Sequence, residues 1–235
     1  MTNQDNDESL IAHLEALRET ILKCLLVLGL VFPFMLFASP KVLEWLTEII
    51  ISDSNISLNY FSPAEVFLIQ IKTAAVLDLV VCFPYIAKKI WDFILPALYE
   101  NERKFIKTTV LTSSFLFVLG VLFCIFFILP LIIKFGMSFS SSNIKAVFGI
   151  SNIINLSLWM SISFGLMFQL PLITYSLIKS DIIPYDSISD KRSYVIVGIL
   201  IIAGILTPPD VVSQILLALP TYMLFEIGLF FARRK

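Results

Sequence analysis

The sequence has few charged residues. Asp, Glu, Lys and Arg make up 15% of the 235 residues, where a soluble globular protein has about 25%. Hydrophobic residues make up 58%, the mean hydropathy is +0.91, and the stretch 108–133 is almost free of charge. Apolar runs of about 18 residues or more are typical of membrane-spanning helices. A soluble globular domain is therefore excluded.

The residues of catalytic and metal sites are also scarce. There is one histidine, His13, and no glycine-rich phosphate loop or cluster of metal ligands. The three cysteines, Cys24, Cys82 and Cys124, lie in or beside apolar segments without paired spacing. They are interpreted as small buried hydrophobic residues, and not as a metal site or a disulfide framework. We expect neither an enzyme nor a cofactor.

The pattern of apolar residues predicts an all-α polytopic membrane protein. In a bilayer only helices or closed barrels satisfy their own backbone, and the apolar segments lack the alternation of period two that a barrel needs. The start of the chain is acidic and polar, unlike the basic start of a cleaved signal peptide. The sequence predicts one integral membrane domain over residues 1–235, with six spans at approximately 21–38, 66–87, 108–133, 153–178, 194–206 and 211–231.

The basic residues predict the orientation of these spans. If both termini are cytoplasmic, thirteen of the 17 Lys and Arg residues lie on that side, and Lys41, Lys134 and Lys145 lie on the other, with Lys72 just inside a span. Cytoplasmic loops of membrane proteins carry an excess of Lys and Arg. We therefore expect both termini inside and three loops outside.

The first outer loop contains a segment with a helical pattern of its own. The segment 40–51 has apolar residues at helical spacing, with Glu44 and Glu48 on another face. It predicts an amphipathic outer-loop helix, either lying at the membrane interface or packed over the bundle.

The fifth span is short. It has about 13 residues, or ~20 Å of helix, against a hydrocarbon core of ~30 Å. The turn Leu-Thr-Pro-Pro-Asp at 206–210 separates it from the sixth span, so the two form a short hairpin at one edge, with Asp210 placed to cap the second helix.

A few polar side chains lie within the spans, where they are expensive and are candidates for function. Asp78 is midway along the second span, Gln169 is central in the fourth, and Glu226 is near the inner end of the sixth. Glu226 is interpreted equally well as a capped carboxylate near the surface. Gln169 either satisfies backbone groups freed by the neighbouring Pro171 or contacts something that enters the bundle.

Several ordered motifs resemble one family over essentially the whole chain. The sequence is similar to the C subunit of the twin-arginine protein translocase, the TatC family. The resemblance rests on "HLEALR" at 13–18, "FSPAEVF" at 61–67, "FPYIAKKIWDFILPALYENERK" at 83–104, "FGLMFQLPL" at 164–172, "KRSYVIVG" at 191–198 and "LTPPDVVSQILLALPTYMLFEIG" at 206–228.

The resemblance implies a receptor in a protein-export machine of the bacterial cytoplasmic (inner) membrane. The family recognises signal peptides with paired arginines and moves folded proteins across the membrane, using the proton-motive force. Its members assemble with single-span subunits of the TatA/TatB type. Self-association and contact with the lipid bilayer are expected, and a nucleic-acid partner is not.

The resemblance also implies a signal-peptide site on the cytoplasmic face. A guanidinium pairs bidentately with a carboxylate in a way that lysine cannot reproduce. Glu102 matches the family's signal-binding glutamate. The family's second glutamate, in the N-terminal motif, is replaced by Ala16, and Glu15 stands one position earlier, a rotation of ~100° about the helix. The implied site residues are Glu102, Glu100, Glu15, Leu17, Arg18, Phe93 and Pro96.

A second implied site concerns the partner subunits. The family often has a glutamate where this chain has Gln169, and an amide cannot titrate. The outer end of the fifth–sixth hairpin is a docking area in the family, and Thr207, Asp210 and Gln214 match it. Gln169 and Glu226 complete the candidates for docking or for intramembrane polar contacts.

Two other classes of function remain as alternatives. A small secondary transporter could use Asp78, Gln169 and Glu226 as an ion or substrate path, but internal repeats and broken helices typical of that class are not evident. A purely structural assembly subunit would make no direct contact with a signal peptide.

Overall fold

The structure is a computed structural model that describes residues 2–52, 58–94, 103–138, 147–180, 182–207 and 211–233. Almost all of these residues are helical, which confirms the predicted helical character. The helices are α1 (Thr2–Ser52), α2 (Pro63–Ile94), α3 (Arg103–Phe123), α4 (Leu129–Met137), α5 (Ile150–Met167), α6 (Leu170–Lys179), α7 (Tyr185–Ser189), α8 (Arg192–Leu206) and α9 (Val211–Arg233).

The predicted spans coincide with apolar helical segments. The first four spans and the sixth fall within helices long and apolar enough to cross a membrane, whereas the fifth span falls on the shorter α8. The third combines α3 and α4 through a π-helical turn, Cys124–Ile128, which precedes Pro130 and absorbs the irregularity that a proline causes. The fourth combines α5 and α6, which meet at a break over Phe168 and Gln169.

Two short strands define one end of the bundle. β1 (Leu58–Asn59) precedes α2, β2 (Phe148–Gly149) precedes α5, and they pair in parallel. This pairing places the α1–α2 and α4–α5 connections at the same end, which we call the β-pair end. The opposite end, where α1 begins and α2 ends, is called the N-terminal end.

The outer-loop helix is not a separate element. Helix α1 runs without interruption through Pro33 and Pro40 to Ser52. A proline cannot donate to the carbonyl four residues before it, so Pro40 leaves the carbonyl of Leu36 without its helical partner. The hydroxyl of Ser39 donates to that carbonyl at 2.9 Å. This local replacement lets α1 continue into the segment 40–51, which was predicted to be a separate outer-loop helix.

The last turns of α1 have the predicted amphipathic pattern. Leu43, Leu46 and Ile50 are buried in the hydrophobic core, whereas Glu44 and Glu48 are exposed. This arrangement supports the interpretation that the segment packs over the bundle.

Glycines permit the closest approaches between helices. A Cβ at Gly120 of α3 would lie 2.6 Å from the carbonyl oxygen of Phe164 in α5, and one at Gly228 of α9 would lie 2.8 Å from Pro171 in α6. Small residues of this kind allow backbones to approach in membranes, where packing drives helix association. The contact of α3 with α5 and that of α6 with α9 therefore depend on the absence of a side chain.

Candidate functional site

The N-terminal part of α1 presents site candidates to its surroundings. Glu15, Leu17 and Arg18 are all exposed. Glu19 accepts a hydrogen bond from the Lys23 ammonium one turn later, at 2.6 Å. Glu19 is therefore already engaged, whereas Glu15 is exposed in the part of α1 whose side chains are described, residues 14–50.

The other signal-peptide candidates lie in the last turn of α2 or follow it in the chain. Glu100, Glu102 and Pro96 lie outside the described residues. Phe93 is half-buried in the last turn of α2, two residues after the buried Trp91. Since α2 ends where α1 begins, the chain enters the 95–102 segment at the same end of the bundle as Glu15.

A cavity of about 290 Å³ lies between the second half of α2 and the α5–α6 break. Its lining is mostly apolar and includes Phe83 and Trp91, together with the polar side chains of Ser113, Gln169 and Ser176. The hydroxyl of Ser176 is buried and has no hydrogen-bond partner among the described residues. A buried hydroxyl without a partner is costly, so this wall can accept a polar group from a ligand or a water molecule.

Gln169 joins three parts of the bundle. Its Oε1 accepts a hydrogen bond from the Ser113 hydroxyl of α3 at 2.6 Å, and its Nε2 donates to the Ser113 carbonyl at 3.1 Å and the Gly165 carbonyl at 3.4 Å. Its backbone N–H turns to Leu166 and leaves the Gly165 carbonyl, its regular helical acceptor, to the side chain. The side chain therefore satisfies a backbone carbonyl at the break, that of Gly165, which is not the Met167 carbonyl that Pro171 leaves without a helical partner.

Glu226 has partners within the chain. The Tyr222 hydroxyl donates to its Oε1 at 2.8 Å, and the Nε of Arg192, at the start of α8, lies 3.4 Å from the same oxygen. Both charged side chains are partly exposed, so the pair adds little to stability. This geometry agrees with the interpretation of a capped carboxylate near the membrane surface.

Asp78 is buried in α2, and the Cys82 thiol, one turn later, donates to its carboxylate at 3.4 Å. Its described hydrogen bond is thus within its own helix. Asp78, Gln169 and Glu226 have separate sets of partners. The hydrogen bonds of the described residues therefore do not link them into the continuous path that a small secondary transporter would need.

Of the candidates at the α8–α9 hairpin, Thr207 closes the end of α8 and Gln214 joins α9 to α8. The buried Thr207 hydroxyl donates to the Ala203 carbonyl at 2.8 Å, and the Gln214 side chain donates from α9 to the Leu200 carbonyl of α8 at 3.0 Å. Asp210 lies outside the described residues. The outward faces of the hairpin are apolar, with Ile205 and Val211 74% and 68% exposed.

Sequence reasoning missed Ser113 and Ser163. Ser113 binds Gln169, and the Ser163 hydroxyl, which donates to Trp159 of its own helix, also lies 3.3 Å from the carbonyl of Leu206 at the end of α8. A serine within an apolar span is a weak signal, since its hydroxyl often bonds only within its own helix. In residues 2–233, outside the gaps given above, no group of three or more His, Cys, Asp or Glu side chains could hold a metal ion.

Comparisons with known proteins agree with this architecture. A sequence model of the family described as Sec-independent protein translocase protein (TatC) matches residues 12–220. The chain belongs to the TatC family. Members of this family are non-enzymatic components of protein transport, and the chain is a Sec-independent protein translocase subunit.

TatC proteins of other bacteria align with nearly all of the chain. The TatC of Haemophilus influenzae is 34% identical over 99% of this chain and 92% of its own length. That of Escherichia coli K12 is 31% identical over 97% of this chain and 90% of its own length. A crystal structure described as the twin arginine translocase receptor TatC, in the detergent DDM, has a TM-score of 0.85 at 30% identity, covering 94% of this chain and 99% of that one.

Proposed function

We propose that this TatC protein is the core receptor subunit of a twin-arginine translocase in the bacterial inner membrane. It binds signal peptides with paired arginines at the cytoplasmic face and, with single-span subunits of the TatA/TatB type, exports folded proteins. The observation that carries the proposal is the likeness, over almost the whole chain, to a crystal structure described as the twin arginine translocase receptor.

The proposed topology has six spans with both termini in the cytoplasm. The β-pair end is then the outer end, and the N-terminal end is cytoplasmic. Helix α8, with 15 residues, is about 22 Å long and crosses the membrane where the bilayer is thinned. The basic residues, which are concentrated at the N-terminal end, support this orientation.

The proposed arginine-binding surface combines two segments at that cytoplasmic end. Glu102 is the principal carboxylate, and Glu15 on the exposed face of α1 is the second. Each can accept a bidentate pair of hydrogen bonds from a guanidinium, which a lysine ammonium cannot form. The proposed site also includes Leu17, Arg18 and Phe93, and it includes Glu100 and Pro96 from the 95–102 segment that the structure does not describe.

The outer hairpin is the proposed docking site for the single-span subunits. Ile201, Ile205, Ile215 and Leu219 are exposed on α8 and α9 and offer an apolar face, while Asp210 and the half-buried Gln214 offer hydrogen bonds to a polar side chain of the partner. Export is driven by the proton-motive force. Since the Gln169 amide cannot titrate, the proposed mechanism places no proton on this side chain.

The test is photocrosslinking of a signal peptide in native membranes. A photoreactive residue at the exposed Leu17 should capture a peptide with Arg-Arg, and capture should fall roughly tenfold with Lys-Lys or in Glu102→Gln, as expected for about 1.5 kcal/mol from a lost charged hydrogen bond. Glu48→Gln, which removes an exposed carboxylate from the other end of α1, is the matched control and should have no effect. Capture that ignores the arginine pair would leave the chain as an assembly subunit without direct peptide contact.

A further inference from the structure

A groove of about 650 Å³ runs between α2 and α5 near the β-pair end. It is separate from the arginine-binding surface and from the outer hairpin. Its wall includes Lys72, Ala75, Asn152, Asn155, Leu158 and Trp159.

The groove changes from polar to apolar along its length. Helices α2 and α5 both begin at the β-pair end and therefore run in the same direction. The polar lining residues Lys72, Asn152 and Asn155 come before the apolar Ala75, Leu158 and Trp159 in their helices. The polar part is thus nearer the membrane surface and the apolar part is deeper, which is the polarity of a phospholipid in the same leaflet.

The polar end carries a fixed positive charge. The Lys72 ammonium donates to Asn155 Oδ1 at 2.9 Å, and Asn155 Nδ2 donates to the Ser151 hydroxyl at 3.1 Å. Within the described part of the chain, no carboxylate forms an ion pair with Lys72. An ammonium has three donors, and the described residues use one of them, so two can serve a ligand. A cation at the edge of the hydrocarbon is costly unless an anion or water meets it.

We propose that this groove binds an anionic phospholipid. Its phosphate is held by the Lys72 ammonium and by the side-chain amides of Asn152 and Asn155, and one acyl chain lies along Ala75, Leu158 and Trp159. The positive charge selects an anionic headgroup over a zwitterionic one. The site itself needs only the described geometry. Its assignment to the outer leaflet rests on the topology under the proposed function.

Trp159 lines the groove and is half exposed, so its fluorescence reports on the occupant. The experiment uses the full chain with Trp45→Phe and Trp91→Phe in phosphatidylcholine bilayers, with no signal peptide present. Brominated phosphatidylglycerol, present as a minor component, should quench Trp159 with an apparent affinity roughly fivefold above that of brominated phosphatidylcholine, the ratio expected for one basic side chain.

The variants isolate the charge at the groove. Lys72→Gln should remove the preference for phosphatidylglycerol, and Lys72→Arg should keep it. Lys41→Gln removes an exposed lysine from the same end of the bundle and should leave the preference unchanged. Native mass spectrometry of the chain with its tryptophans intact provides a second measurement, in which Lys72→Gln should lower the occupancy by phosphatidylglycerol severalfold.

Two results would overturn the proposal. One is equal quenching by the two brominated lipids, and the other is a preference that survives Lys72→Gln. The first result has a specific cause if a copurified single-span subunit shields Trp159 from both lipids. In that case the groove belongs to a protein partner, and the lipid site is refuted. Because signal peptides are absent, failure here is independent of the crosslinking result.

Discussion

At the scale of single residues, the Gln169 amide makes three hydrogen bonds within the bundle. It uses both its oxygen and its nitrogen, and it replaces a backbone hydrogen bond lost at the α5–α6 break. A hydrogen bond in a membrane bundle is worth roughly 0.6–2 kcal/mol. The network therefore stabilises the contact of α3 with the broken span, against which the 290 Å³ cavity lies.

Replacement of Gln169 by leucine should destabilise the protein. We expect Gln169→Leu to lower the free energy of unfolding by about 1–2 kcal/mol, because the hydroxyl and carbonyl of Ser113 and the Gly165 carbonyl lose partners. SDS unfolding of the purified chain measures this change. Ser114→Ala is the control, since the Ser114 hydroxyl donates only to Val110 of its own helix, and it should change stability little.

A double-mutant cycle separates this network from simple packing. If Ser113 and Gln169 act through one another, Ser113→Ala together with Gln169→Leu should cost less than the sum of the two single substitutions, by about 0.5–1 kcal/mol. Additive effects would show that the two side chains stabilise the bundle independently.

At the scale of helices, sequence patterns located the apolar segments but not all of their ends. The turn after Leu206 and the shortness of α8 followed from Pro208 and Pro209, as the end of α8 shows. The first span was predicted to end near residue 38, but α1 continues through Pro40, because the hydroxyl of Ser39 takes over the freed carbonyl of Leu36. Propensity is a local rule, and such compensation depends on where a particular side chain points.

The candidate site was also only partly predictable from the sequence. The motifs identified the candidate site residues, and the polar intramembrane residues were recognised by their unfavourable surroundings. The partners of Gln169 and Glu226 could not be predicted, since Ser113 is 56 residues away from Gln169 and Arg192 is on another helix from Glu226. Such pairs depend on packing between helices, which one sequence does not encode in any local pattern.

The glycine contacts between helices predict that replacing glycine by alanine changes the stability of the protein differently at two positions. Gly120→Ala should destabilise the protein by about 1–3 kcal/mol, because the new methyl group would overlap the Phe164 carbonyl and force α3 away from α5. Gly29→Ala should be neutral or stabilising by up to about 1 kcal/mol, since nothing lies within 4 Å of a Cβ there and alanine favours a helix. Thermal unfolding in detergent compares the two. Equal effects would mean that helix propensity, and not the contact between helices, dominates at Gly120.

At the scale of the whole molecule, two independent observations bear on the topology. The pairing of Leu58 with Phe148 requires the α1–α2 and α4–α5 connections to share one end, so the chain returns to that end after two crossings, the second and third predicted spans. The distribution of Lys and Arg then chooses which end faces the cytoplasm. The strand pairing places two connections at one end, and the charge distribution predicts which end is cytoplasmic. The orientation can therefore be tested apart from transport.

Cysteine labelling checks that orientation. In a chain whose own cysteines, Cys24, Cys82 and Cys124, are replaced by alanine, single cysteines are introduced at two exposed serines, Ser138 and Ser187. A membrane-impermeant maleimide added to intact cells should label Ser138→Cys, after α4, and should reach Ser187→Cys, in α7, only once the membrane is opened. The reversed pattern would invert the topology and place the arginine-binding surface outside the cell. Since a signal-peptide receptor must meet its ligand before transport, that result would refute the receptor function together with the orientation.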